Sequence, residues 1–220
     1  MFLFYFIFPS ILVLNSIFIF SFKDYLGPKG IFYTSLFSIF ISIFCLIIEL
    51  FYNFFLGVYF FIDFGRWFTI IDHIDSRLIF CFDNLSIITS ILVLILTSLA
   101  LFFGIEYMSR EAFISRVVYL LNMFSTSVVL LFSVYDFFLI VLFWELIGLF
   151  SYFLVNFYSQ RIYTIKASYK TFVFSRISDM FIFFALIIVV FVFGSTDLSI
   201  IFLKIPFYLF HFFFYRRYRF

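Results

Sequence analysis

The residues with most chemical potential are ionisable groups set inside apolar stretches. Glu145 is the first. It is the tenth residue of an apolar run, Asp136–Tyr158, so it lies about 13 Å from the run's outer end at ~1.5 Å per residue. Gly148, Tyr152, Asn156 and Ser159 fall on the same helical face, with only Leu149 intervening. A carboxylate at mid-membrane costs several kcal/mol unless it is paired or wetted. A carboxyl group balanced between burial and a nearby cation can take and give protons. The alternative role is a structural hydrogen bond between helices.

Arg176 and Asp179 form the second feature. The apolar run after them, Met180–Phe193, has only 14 residues. A span of roughly 20 residues must therefore include both charges. Their spacing of three sets them side by side on one helix face. Two roles fit: a switchable ion pair beside a proton path, or a static pair that anchors the helix near the inner surface. Lys166 and Lys170, one turn apart, face the inner aqueous side, where a lipid phosphate is the simplest contact. Glu49, near Asn53 and late in its run, reads as structural and close to the outer interface. Glu106 and Glu111 flank a loop and need no special role.

These charges must be positioned by membrane elements. Of 220 residues, 66% are hydrophobic and 12% charged, and mean hydropathy is +1.24. A soluble domain has about 25% charged residues, so an ordinary soluble globule and a disordered chain are both excluded. The 45 Phe exceed any packing need. They read as codon bias in an AT-rich genome, of which organelle genomes are the usual example. The fold class expected is all-α integral membrane, with about six transmembrane helices. These are 2–21 (with Pro9 as a tolerated kink), 31–55, 85–105, 113–133, 136–158 and 164–193. The runs are continuous, not alternating, which excludes a barrel. The start lacks the features of a cleavable signal or an Arg-rich presequence, as expected of a protein made in the compartment that uses it.

Charge sets the orientation. The loops after the first, third and fifth spans hold seven Lys or Arg: Lys23, Lys29, Arg110, Arg116, Arg161, Lys166 and Lys170. The opposite loops hold two, Arg66 and Arg77. The positive-inside rule then puts the N-terminus and the 63–84 loop outside. That loop is rich in aromatic and β-branched residues and reads as a short hairpin on the outer surface. The division expected is 1–62, two helices; 63–84, the outer loop; 85–194, four helices carrying the ionisable motifs; and 195–220, a tail. The tail holds Lys204, Pro206 and terminal arginines, and either lies on the surface or crosses as a short seventh span. Cys45 is expected in a helix and Cys81 in a loop. With no CxxC, and with His73 and His211 single and far apart, neither metal nor redox chemistry is supported. No flavin, haem or phosphate-loop pattern appears.

Trp144-Glu145-Leu146-Ile147-Gly148-Leu149-Phe150-Ser151-Tyr152-Phe153-Leu154-Val155 resembles the motif W-E-x-x-G-x-x-S-[YF]-x-L-[IV] of NADH-ubiquinone oxidoreductase chain 5. Residues 166–179, KASYKTFVFSRISD, are similar to its K-A-x-x-K-A…N-R-[IV]-G-D, with Ser175 for the usual Asn and Ser178 for the usual Gly. Phe82-Asp83-Asn84-Leu85-Ser86 resembles its F-D-x-L-S, and Ser195–Phe202 its linker after the sixth helix. The resemblance covers 82–202.

It implies a proton-translocating membrane-arm subunit of respiratory NADH:ubiquinone oxidoreductase in the mitochondrial inner membrane. Glu145 would exchange protons, Arg176 and Asp179 would gate, and Lys166 and Lys170 would assist. No cofactor would bind this chain; NADH, FMN, iron–sulfur clusters and ubiquinone would sit on other subunits. The family's later lysine-bearing broken helix has no counterpart here, so the chain reads as the N-terminal half of a split antiporter-like subunit. A second chain would carry the remaining helices, among the other membrane-arm subunits and lipid, with no nucleic acid. Two alternatives stand: a subunit of a multisubunit sodium/proton antiporter, which shares W-E-x-x-G, and a purely structural membrane subunit.

Overall fold

The computed structural model describes residues 2–57, 60–70, 74–108 and 113–206. The first helix, α1, runs Phe2–Leu56 and is broken by non-helical backbone at Phe22 (φ −109°, ψ 15°) and Gly27 (φ 64°, ψ 170°). Gly27 takes the left-handed φ that a residue with a Cβ resists. Pro28 behind it disfavours helix in the residue before it and starts the next helix well. The loop expected over Lys23–Lys29 is thus a sharp kink between two helical arms. The second arm, Tyr25–Phe55, is long and apolar enough to cross a membrane, and the first arm contains the apolar segment Pro9–Phe22.

A two-stranded antiparallel hairpin follows, β1 (Phe60–Ile70) and β2 (Ile74–Phe82). Its register pairs Phe60 with Phe82, Ile62 with Phe80 and Ile70 with Ile74. The register shifts around Arg66, next to Gly65 at φ 91°, whose N–H donates to Asp63 Oδ1 at 2.7 Å. Such a bulge bends a ribbon and strengthens its twist. The strands begin at Phe60, earlier than the 63–84 expected. They take in Cys81, so it is a buried strand residue and not a loop residue. The Cys81 thiol donates to Asp83 Oδ1 at 2.9 Å. Asp72 and His73 lie outside the described residues.

Four helices complete the order: α2 (Asn84–Met108), α3 (Ile114–Ser133), α4 (Phe137–Val155) and α5 (Ile162–Phe193). Each is long and apolar enough to span, which with the second arm of α1 makes five such helices among the described residues. The chain is a multi-pass membrane protein. Gly194 ends α5 in the left-handed conformation, its N–H donating to Val190 O, a common helix stop. Residues 198–206 are helical again, and Lys204 Nζ donates to Phe193 O at 2.6 Å, covering a carbonyl at the end of α5. The tail's possible crossing, its arginines and His211 lie outside the described residues.

The core lies where α1, α2 and α3 meet, around Phe32, Leu46, Leu94, Leu101, Val118 and Val129. A Cβ on Gly104 would stand 3.1 Å from the Phe32 ring, so the glycine admits that ring. Half of the most apolar window of the second α1 arm is buried, and half of that of α3, against 11% for α4 and 6% for α5. The two helices carrying the ionisable motifs are therefore the least covered.

Candidate functional site

The site is built on the pair α4 and α5, and Asp136 sets where α4 begins. Asp136 is fully buried and caps the helix, its Oδ1 accepting from Phe138 N–H at 2.9 Å. Its Oδ2 accepts from the backbone N–H of Arg77 in β2 at 3.0 Å and from Thr196 Oγ1 at 3.3 Å. Backbone bonds run beside these: Tyr135 N–H to Ile79 O, Phe137 N–H to Thr196 O, and Leu198 N–H to Tyr135 O. One carboxylate thus ties the hairpin, the α3–α4 turn and the segment after α5 together. Burial pushes its pKa above the ordinary carboxylate value, and Asp197 pushes the same way, while the bonds from Phe138, Thr196 and Arg77 oppose them. Burial also raises the Tyr135 phenol, and it raises the Cys81 thiol with help from the bond to Asp83.

Glu145 stands two turns into α4, partly buried. It forms no hydrogen bond or ion pair with any described residue. One turn on, Gly148 meets α5: a Cβ there would lie 3.6 Å from Ser175 Cβ. The next turn places the Tyr152 ring 5.4 Å from that of Phe172. The two helices run antiparallel along this seam, so a turn of ~5.4 Å back from Gly148 brings Glu145 to the level of Ser178 and Asp179. The polar stripe is shorter than expected. α4 ends at Val155 with Asn156 as C-cap, so Ser159 lies in the following turn and not on the helix.

On α5, Arg176 Nη1 lies 3.3 Å from Asp179 Oδ2. The carboxylate is buried, while Arg176 is 37% exposed and stacks over Phe172 with its Cζ 5.0 Å from the ring centroid. Guanidinium over a ring face adds a cation–π attraction to the ion pair. Lys166 and Lys170 are exposed earlier on the same helix, and neither is paired with a described residue. The structure therefore brings the Arg176–Asp179 pair to Glu145's level and leaves the two lysines away from it. Among the described residues no cluster of His, Cys, Asp and Glu can hold a metal.

Two family models match the chain. One, described as NADH-ubiquinone oxidoreductase (complex I), chain 5 N-terminus, matches residues 67–118. The other, NADH:quinone oxidoreductase/Mrp antiporter, TM, matches 134–214 and so contains Glu145, Lys166, Lys170, Arg176 and Asp179. The chain is 36% identical over 206 residues to NADH-ubiquinone oxidoreductase chain 5 of Nyctotherus ovalis, an alignment covering 94% of this chain and 11% of that one. With the same-named proteins of Mycosarcoma maydis and Acanthamoeba castellanii it shares 34% and 32% identity, over 63% and 67% of its length and 21% and 22% of theirs. The chain belongs to the NADH-ubiquinone oxidoreductase chain 5 family. The second family model spans oxidoreductases and antiporters alike; the N-terminus model and the named relatives decide between them. The chain spans about a tenth to a fifth of the length of these relatives. A chain in the structure of respiratory complex I from Thermus thermophilus with bound aureothin has the same fold, with TM-score 0.68 and 17% identity over 86% of this chain and 38% of that one.

Sequence reasoning gave Asp136 no role beyond opening the run Asp136–Tyr158. An Asp immediately before an apolar helix is a capping signal, and that signal was present.

Proposed function

We propose that the chain forms the N-terminal part of an antiporter-like, proton-translocating unit in the membrane arm of NADH:ubiquinone oxidoreductase, in the mitochondrial inner membrane. Glu145 takes and gives the proton. Arg176 and Asp179 gate it by changing partners, and Lys166 and Lys170 serve the inner aqueous side. The chain binds no cofactor; NADH, FMN, iron–sulfur clusters and ubiquinone belong to other subunits.

The observation that carries this reading is the seam at Gly148 and Ser175, which holds Glu145 level with the Arg176–Asp179 pair. Both helices remain largely uncovered, and their ionisable groups cannot face lipid cheaply. Further chain 5 helices, carried on a second polypeptide, cover them and place a lysine within about 4–6 Å of Glu145, close enough to favour its charged form. Lys204 is held at the far end of α5 and is not that lysine. A structure of the assembled complex tests this. A lysine from a helix outside residues 2–206 beside Glu145 is the expected result. Lys204 there, or lipid against that face, contradicts it.

A further inference from the structure

The bundle of α1, α2 and α3 contains a carboxyl group that the α4–α5 site does not use. Glu49 in α1 is 2% exposed, and both its oxygens are buried without a hydrogen-bond partner. Asn122 in α3 is equally buried, and neither its amide nitrogen nor its amide oxygen has a partner. Ser42 of α1, Ser90 of α2 and Thr126 of α3 are buried polar residues of the same three helices.

The depths agree. Asn53 Nδ2 donates to Phe82 O at 3.0 Å, and Phe80 bridges to Val134, which sets a common outer level for α1, α2 and α3. At ~1.5 Å per residue, Glu49 lies about 6 Å inside that level, Ser90 and Thr126 about 10–12 Å, and Ser42 and Asn122 about 17 Å. The hydroxyls of Ser42, Ser90 and Thr126 donate to carbonyls of their own helices, Ser38, Ser86 and Asn122. Their oxygens remain as acceptors, and the Glu49 and Asn122 side chains remain unsatisfied.

A buried polar group without a partner costs about 1–3 kcal/mol, and more when charged. An anionic Glu49 requires a cation. No Lys or Arg is buried among the described residues. The buried side chains of α2 and α3 include no ionisable group, and on α1 only the Cys45 thiol lies one turn from Glu49. Water is the partner that fits these groups, because it donates to hydroxyl oxygens and to Asn122 Oδ1 and accepts from Asn122 Nδ2.

We propose that Glu49 is a proton-binding carboxylic acid reached through waters lodged between α1, α2 and α3, a second proton-exchange site distinct from Glu145. In the step, a hydronium gives its proton to a Glu49 oxygen, which forms an O–H bond and leaves neutral water. The reverse step returns the proton. The neutral acid then donates its O–H to a water.

The test uses the complex in its native membranes. Infrared difference spectra of native and E49Q membranes should show a protonated-carboxyl band that is lost in E49Q and shifts when the native sample is moved to D₂O. A band that is lost in E49Q but does not shift in D₂O marks a sealed structural acid and overturns the proposal. So does the loss of a carboxylate band instead. If E49Q does not assemble, carbodiimide labelling of the native chain decides, because the reagent takes protonated carboxyls. A Glu49 adduct whose yield falls about tenfold per pH unit above its midpoint supports the proposal; an unmodified Glu49 overturns it. None of these readouts depends on Glu145.

Discussion

Gly148 of α4 and Ser175 of α5 approach so closely that a Cβ on the glycine would touch the serine's Cβ at 3.6 Å. That is ordinary contact, so the seam admits one methyl group. Gly148→Ala should be tolerated and add up to about 1 kcal/mol of helix propensity. Gly148→Leu should pry α4 from α5 and cost about 1–3 kcal/mol by overpacking. Thermal stability and assembly of the complex on a native gel separate the two; equal behaviour of Ala and Leu would show that the seam opens freely.

Arg176 and Asp179 should be coupled. Removing the arginine leaves a buried carboxylate without its cation, so Arg176→Gln should destabilise more than Asp179→Asn, which leaves a cation that is partly exposed and stacked on Phe172. Residues in one such network typically show coupling of about 0.5–3 kcal/mol in a double-mutant cycle. A cycle that sums to zero would make the pair incidental.

Asp136 should make the hairpin end of the fold sensitive to pH. Its pKa in the folded protein is raised, chiefly by burial. A group raised on folding gives its full stabilisation below the unfolded value, about pH 4, and loses it as pH rises through the folded value. Hydrogen-exchange protection of the Arg77 and Phe138 amides, corrected for intrinsic rates, should fall over that window. Asp136→Asn should abolish the trend at a cost of about 1 kcal/mol, since an amide nitrogen in place of Oδ2 donates and cannot accept the Arg77 N–H. Asp136→Ala should cost about 2 kcal/mol through the lost cap. Protection that rises with pH in the native protein would contradict this account.

The sequence made the helices legible because continuous apolar runs of spanning length permit little else. It also exposed Glu145, Arg176 and Asp179, since a charge inside such a run needs a reason. Spacing alone paired Arg176 with Asp179. What lay beyond it were contacts between distant segments. Asp136 meets partners 59 and 60 residues away, in opposite directions along the chain, and no local pattern reports that. Glu49 reads as an interfacial residue in one dimension, yet α2 and α3 close over it. The loop expected at Lys23–Lys29 is a kink because Gly27 and Pro28 turn the chain in one step. The seam also gives Ser175, which departs from the family's Asn, a physical setting: it meets Gly148 and turns its hydroxyl back to Phe172 O at 2.8 Å.

The central claim is that Glu145 exchanges protons, and Glu145→Gln tests it most directly. Glutamine keeps the shape and a hydrogen bond but cannot release a proton at neutral pH. Proton uptake per NADH oxidised should be measured in membranes where a native gel shows the variant complex fully assembled. The account predicts intact assembly with lowered proton uptake and lowered coupled turnover. Unchanged uptake in a fully assembled variant would contradict it and reduce Glu145 to a structural polar group.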